Sequence, residues 1–327
     1  MAEKIFITGG AGYVGSKLVP KLLSLGYQVT VLDLMIYGEN VLDNHKNLMK
    51  IKGDIRDQQL LDRTLKGNDI VIHLACISND PSFELNPSLG KSINLDAFEP
   101  LVKLSIKNNI KKFIYASSSS VYGIKKEKNV TEDMSLEPLT DYSKFKGDCE
   151  KILNKYKSEN FITTTIRPST VCGYASRQRL DLVVNILTNH AYHNREIKVF
   201  GGDQLRPNVH IEDMVNSYIA VLNADIQKIN GQIFNVGFKN QSVNELADDV
   251  KSVIGDDIKI VNTKSDDNRS YHVSSEKIRD ILGFETKYSV KDAVSDLKVA
   301  FEKKILVNTF DDEFYFNIKR MNNINLK

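Results

Sequence analysis

Short apolar runs alternate with longer amphipathic stretches through the first half of the chain. Lys4-Ile5-Phe6-Ile7-Thr8, Gln28 to Leu32, Leu48 to Lys52, Ile70 to Ala75, Lys112 to Ala116 and Thr163 to Arg167 read as strands. Apolar runs of this length, bounded by turn residues, fit strands buried on both faces. Helical periodicity predicts helices over 12–25, 92–108 and 140–159, with a further one after Asp57. Gly26 stops the first of these, and Pro20 inside it costs a backbone hydrogen bond and bends it. Alternation of this kind predicts an α/β fold with a doubly wound parallel sheet.

Beyond Pro168 the rhythm loosens. Residues 1–168 are expected to form one domain and residues 169–327 a smaller α/β lobe. The two are interleaved, because 205–240 carries a strand-like run, Gln232 to Val236, that is expected to return to the main sheet. The tail from Phe310, with Phe314, Tyr315 and Phe316, is too aromatic to be left in solvent and is expected to pack.

With 327 residues the chain can bury a sizeable core. A net charge of +2 carries no broad electrostatic footprint of the kind that binds nucleic acid or an anionic membrane. No apolar run approaches a bilayer span, and the chain enters its first strand with no room for a leader, so the cytoplasm is the expected location. Cys76, Cys149 and Cys172 are far apart and lack metal-ligand spacing, which reads as free thiols in a reducing compartment.

The first strand leads into Gly9-Gly10-Ala11-Gly12-Tyr13-Val14-Gly15, and a helix follows. Gly9, Gly12 and Gly15 fit G-x-x-G-x-x-G, and Gly10, Gly12 and Gly15 fit G-x-G-x-x-G. In this strand–turn–helix context glycines let the backbone approach a pyrophosphate, whose charge meets the helix N-terminus. The parallel sheet is thus expected to be Rossmann-type. Asp33 stands about twenty residues beyond the loop, where a carboxylate hydrogen-bonds ribose hydroxyls and repels a 2′-phosphate, so NAD is favoured over NADP. Asp54, after Gly53, fits either an adenine contact or a helix N-cap.

Tyr142 and Lys146 lie one turn apart on the predicted helix 140–159. A phenol titrates near 10, and an adjacent ammonium is expected to lower that value and make Tyr142 a usable base. The same spacing is common on solvated helices, so the pair gains meaning from Ser117-Ser118-Ser119-Ser120 directly after the fifth strand. Ligands of open parallel sheets sit beyond the carboxyl ends of strands, and a serine there can bond the reacting oxygen.

These features together resemble the extended short-chain dehydrogenase/reductases, in the branch that modifies nucleotide sugars (UDP-galactose 4-epimerase-like). The glycine loop, His73-Leu74-Ala75, the serine run, Tyr142 with Lys146, and Arg167-Pro168 carry the resemblance, which covers nearly the whole chain. It implies a catalytic Ser118, Tyr142 and Lys146. It implies NAD held by Gly9, Gly12, Tyr13, Val14, Gly15, Asp33, Asp54, Ile55, Leu74, Ala75, Asn94 and Ser117, with Tyr142 and Lys146. It implies a nucleotide-diphosphate sugar as substrate, and a homodimer formed through the helices near 92–108 and 140–159.

Departures narrow it. The related 4,6-dehydratases carry Asp and Glu where this chain has Ser119 and Ser120, so the dehydration branch is not expected. A fucose-synthase-like cysteine at position 120 is missing as well. Gly201 to Asp213, containing Arg206 and His210, resembles a substrate-lobe element, and so does the segment around Arg269. By that analogy Arg206 and Arg269 grip the diphosphate, unless they form surface ion pairs; His210 and Asp213 are expected to pack and cap a helix. Ser78, Asn79, Ser119 and Asn185 are expected to meet the substrate, and Arg177 and Arg179 lie where lobe contacts are usual. Cys172 and Thr170 replace the more usual Tyr and Asn. The reading is an NAD-dependent epimerase that transiently oxidises a sugar hydroxyl, at C4. Its alternatives are a dehydrogenase or ketoreductase with the same triad, and a non-catalytic redox sensor.

Overall fold

The computed structural model describes residues 3–127, 129–264, 270 and 272–327. In chain order the strands are β1 (Lys4–Thr8), β2 (Gln28–Asp33), β3 (Leu48–Lys52), β4 (Ile70–His73), β5 (Lys112–Ala116), β6 (Ile162–Pro168), β7 (Thr170–Cys172), β8 (Glu196–Phe200), β9 (Leu205–His210), β10 (Gln232–Val236), β11 (Lys239–Ser242) and β12 (Lys259–Thr263). The main helices are α1 (Gly15–Ser24), α2 (Gln58–Leu65), α3 (Phe98–Lys107), α4 (Asp141–Tyr156), α5 (Val183–Asn194), α6 (Ile211–Asn223), α7 (Val243–Ile254), α8 (Val290–Glu302) and α9 (Asn317–Asn323).

Seven strands make one sheet in the order β10-β6-β5-β4-β1-β2-β3, parallel throughout. Alternate side chains of each strand go to opposite faces. On one face Ile5, Ile7, Val29 and Val31 pack with Leu18 and Leu22 of α1 and with Met214 and Val221 of α6. On the other, Phe6, Val71 and Phe113 pack with Leu61 of α2, Phe98 of α3 and Leu153 of α4. Each fully buried aliphatic or aromatic side chain of this kind contributes about 1.5–3 kcal/mol, so covering both faces fixes the doubly wound arrangement.

The remaining strands form two small sheets, β11-β9-β7 and β12-β8. Around them α5, α7 and α8 enclose Val184, Leu187, Val199, Leu246, Val250 and Val294. Gln232 to Val236 does return to the main sheet, where Phe234 lies opposite Ile166. The aromatic tail also packs, with Tyr315 and Phe316 against Leu180, Leu297 and Phe301.

Boundaries differ from the sequence reading at functional places. Helix α1 begins at Gly15 rather than Gly12, which leaves Gly12 to Val14 as turn. Strand β4 ends at His73, and Leu74 and Ala75 leave the sheet to line a crevice. The single helix expected over 92–108 starts instead with a widened π turn at Ser92–Asp96 before α3. Such turns recur at functional sites because they re-aim side chains.

Candidate active site

The sheet order reverses at β1, flanked by β4 and β2, and a crevice opens beyond the carboxyl ends of the strands at such a point. Here it encloses about 510 Å³. Its wall takes in Gly9 after β1, Asp33 at the end of β2, Gly53 after β3, Leu74 after β4, Ser117 after β5 and Pro168 at the end of β6.

The glycine loop forms its floor. Gly9 has φ +73°, and a Cβ there would sit 2.5 Å from the Ala75 nitrogen. A Cβ on Gly15 would fall 2.4 Å from the Gly10 carbonyl oxygen. The sequence needs glycine at both for the loop to close and leave its backbone bare to a ligand. Tyr13 anchors the loop to the second lobe, donating its hydroxyl to the Gly173 carbonyl at 2.5 Å and accepting from Asn185 Nδ2 at 3.1 Å. Burial pushes the Tyr13 phenol well up, so it stays a donor.

Asp33 accepts from the Ala11 and Met35 amides at 3.0 and 2.7 Å, which ties the loop to β2. Burial raises its pKa, opposed by those two amides and by the Arg177 charge. Asp54 and Ile55 line the same end. Asp54 is no helix cap, since Asp57 caps α2 by accepting from the Leu60 amide. Burial works against the Asp54 charge, yet hydrogen bonds from Arg56, at 2.6 Å for Nη2 to Oδ2, hold its carboxyl below the usual range.

At the other end stand Ser118, Tyr142 and Lys146, all on the crevice wall. Thr140 caps α4 by accepting from the Ser143 amide at 3.3 Å, placing Tyr142 in the first turn and Lys146 one turn on. Lys146 Nζ donates to the Ala116 carbonyl at 2.6 Å and lies 5.9 Å from the centre of the Tyr142 ring. Ser118 favours ionisation of the phenol. Its Oγ also sits 2.8 Å from Ser120 Oγ, which accepts from Ser143 Oγ at 2.8 Å. Ser120 thus steadies Ser118.

The phenol does not have the lowered pKa expected of it. Burial pushes Tyr142 well above its ordinary value, and the nearby Cys76 and Asp80 add to this; Arg179 and Ser118 oppose it. Lys146 is turned to a carbonyl, and desolvation is the largest influence on the phenol. Beneath the site His73 is pushed down to about 3 by burial and then by the Lys146 charge, so it is neutral, 2.7 Å from Thr8 Oγ1.

Comparison with known proteins agrees with this geometry. The model of the NAD dependent epimerase/dehydratase family matches residues 5–237. The chain belongs to that family. It is 28% identical over 312 residues to a UDP-glucose 4-epimerase of Lactobacillus helveticus, covering 89% of this chain and 94% of that one. The solved UDP-glucose 4-epimerase of Thermotoga maritima, with UDP-glucose, superposes with a TM-score of 0.84 at 26% identity, over 93% of this chain and all of that one (100%). A dTDP-glucose 4,6-dehydratase of Streptomyces venezuelae, solved with NAD, shares the fold at TM-score 0.82 and 23% identity, over 92% of this chain and 98% of that one. This epimerase/dehydratase family member is an NAD-dependent enzyme of nucleotide-sugar chemistry. The glycine cradle, which added Cβ atoms would fill, and the Asp33 carboxylate fit that cofactor.

Of the other expected contacts in this family member, Gly12, Val14, Ser78, Asn79, Ser119 and Arg206 lie on the crevice wall. Asn79 holds φ +70°, a backbone state uncommon outside glycine, while its side chain caps the next turn by accepting from the Ser82 amide. Ser117 lines the wall, but its hydroxyl is committed to Glu150.

Asn94 and Asn185 do not reach the crevice. Asn94, set by the π turn, clamps both the amide and the carbonyl of Ile77 at 2.8 and 2.9 Å. Asn185 spends its amide on Gly173 N–H, the Arg179 carbonyl and Tyr13. Both are positioning residues, and Asn185 has no group left for substrate. Arg269 lies outside the described residues. His210 and Asp213 cap and tether α6 as expected, Asp213 accepting from the Lys287 and Tyr288 amides. Sequence reasoning missed Tyr37, Asn317 and Met321 on the crevice wall, because nothing in their neighbours marks them.

Proposed function

We propose that this enzyme is a nucleotide-sugar epimerase that oxidises one sugar hydroxyl, at C4, to a ketone and reduces it again from the opposite face. The carrying observation is the convergence of Ser118, Tyr142 and Lys146 with the glycine loop on one crevice, where positions 119 and 120 offer no carboxylate. Ser118 and Tyr142 hold the reacting hydroxyl between them, and Tyr142 takes its proton. NAD supplies the hydride acceptor and afterwards the hydride donor. Tyr142 gives the proton back when the hydride returns, so the chain ends each cycle as it began. Lys146 and Ser117 flank the cofactor side. Ser119 and Ser120 lack the acidity to expel water near neutral pH, which separates this reading from a dehydratase.

On the sugar side Arg206, with Arg269, meets the diphosphate, since guanidinium groups suit charge-assisted bonds to phosphate oxygens. Ser78, Asn79 and Ser119 face the sugar. In this reading residues 1–168 with the 205–240 return form the cofactor half, and the rest of 169–327 the sugar half. We also infer a cytoplasmic homodimer, paired through α3 and α4; among the described residues no helix is long and apolar enough to cross a membrane. Sedimentation of a monomer would remove the dimer.

Incubation with UDP-, GDP-, CDP- and dTDP-sugars tests the chemistry. Isomer formation without NADH accumulation is the expected result, and stoichiometric NADH moves the enzyme to the dehydrogenase reading. Tyr142→Phe should lower turnover by at least about a hundredfold while sparing NAD binding. A variant with near-parental activity would unseat Tyr142.

A further inference from the structure

The end of the chain comes back to the crevice. Helix α9 meets the loop after β2 through Arg320, which donates to the Ile36 carbonyl, and the loop after β3 through Met321, which packs in one cluster with Ile55. Asn317 is 4% exposed and fully engaged. Its N–H donates to Asp181 Oδ2 at 3.0 Å and its Nδ2 to Ser78 Oγ at 3.0 Å. Its Oδ1 accepts from the Tyr37 hydroxyl at 2.8 Å and from Arg177 Nη2 at 2.5 Å.

Arg177 depends on this partner. Its guanidinium is buried 3.5 Å over the Tyr37 ring, and its Nε and Nη1 have no hydrogen-bond partner. Burial lowers its pKa to about 10. A buried cation without a paired carboxylate is stabilised by an anion in the adjoining crevice. Farther along, Arg320 donates to the Ile36 carbonyl, and Arg56, which grips Asp54, donates to the Lys327 carbonyl at 2.8 Å. Met321 and Leu326 join the apolar cluster of Ile55 and line the crevice beside it.

We propose that residues 313–327 are a cofactor clamp: they wall the subsite for the adenosine-diphosphate half of NAD, and NAD leaves only when they lift. The apolar pair suits a purine face, Asn317 fixes the buried arginine, and the anchors Ile36 and Arg56 belong to the loops on either side of that subsite. Retention suits an enzyme that must return a hydride from the cofactor molecule that took it. That clause rests on the proposed epimerase; the clamp itself rests only on NAD binding.

The test uses the whole 327-residue chain loaded with NAD, without sugar, so its failure is separate from failure of the epimerase reading. Release is followed by exchange into excess isotope-labelled NAD, and compared with a chain ending at Asp312 and with Asn317→Ala. The shortened chain should release NAD at least tenfold faster, and Asn317→Ala several-fold faster, with circular dichroism unchanged. An unchanged release rate from a folded shortened chain overturns the clamp. Should that chain fail to fold, hydrogen exchange of the intact protein decides. Coupling is reciprocal, so NAD must slow exchange of the amides of 317–323, and exchange indifferent to NAD overturns the proposal.

Discussion

In the proposed reaction Tyr142 is the base, and its surroundings oppose that use. Burial, Cys76 and Asp80 hold the phenol protonated, whereas Arg179 and Ser118 favour the phenolate. Activity in the oxidising direction should therefore rise with pH and fall as the phenol is protonated. Asp80→Asn removes a negative charge, so the rising limb of kcat/KM should move to lower pH. Arg179→Gln removes the opposing cation and should move it higher. Profiles between about pH 6 and pH 10, which lie on the rising limb below the raised phenol pKa, check this as parallel displacements of that limb, and a limb indifferent to both substitutions would show that another group titrates. Ser118, Tyr142 and Lys146 are singled out by a serine run after β5, a pair one helical turn apart, and the family resemblance that joins them. Spacing says nothing of where a side chain turns. Asn94 and Asn185 fit the family positions yet spend their amides on backbone, and Lys146 points at a carbonyl.

At the scale of elements, a buried ion pair ties α4 to the sheet. Arg167 of β6 meets Glu150 of α4 at 2.6 Å, with side-chain exposures of 3% and 4%. Glu150 also accepts from Ser117, and Arg167 donates to the Tyr122 hydroxyl at 2.7 Å. Arg167→Leu leaves the Glu150 carboxylate buried without its partner, which should cost about 3–5 kcal/mol, read as a lower urea midpoint. A loss below about 1 kcal/mol, the range of an exposed pair, would mean that water reaches Glu150. The short apolar strands were legible because burial on both faces leaves an unbroken pattern, and the glycine loop because its spacing follows a strand and opens a helix. The π turn at Ser92–Asp96 was not, since its residues keep helical periodicity while its hydrogen bonds change. Strand β9 was hidden by Pro207 and Asn208, tolerated where Asn208 Nδ2 bonds the Arg206 carbonyl.

For the molecule as a whole, the decisive step is the return of β10. It covers the open edge of β6 with five register pairs, Gln232 to Val236 against Thr164 to Pro168. The preceding α6 lays Met214, Val215, Tyr218 and Val221 over Ile5, Ile7, Val29 and Val31. In the proposed division the cofactor half therefore draws part of its own core from sequence that lies beyond much of the sugar lobe, and Tyr13 bonds across to Gly173. Neither half closes its core without the other. The intact chain should unfold in one cooperative transition, with calorimetric and van 't Hoff enthalpies equal, and NAD should raise that single Tm by mass action. A fragment of residues 1–204 should fail to bind NAD, because β6 becomes a bare edge and the α1 face of the sheet loses its second helix. Two resolved transitions, with only the first moved by NAD, would show instead that the cofactor half folds alone and that the return strand merely docks.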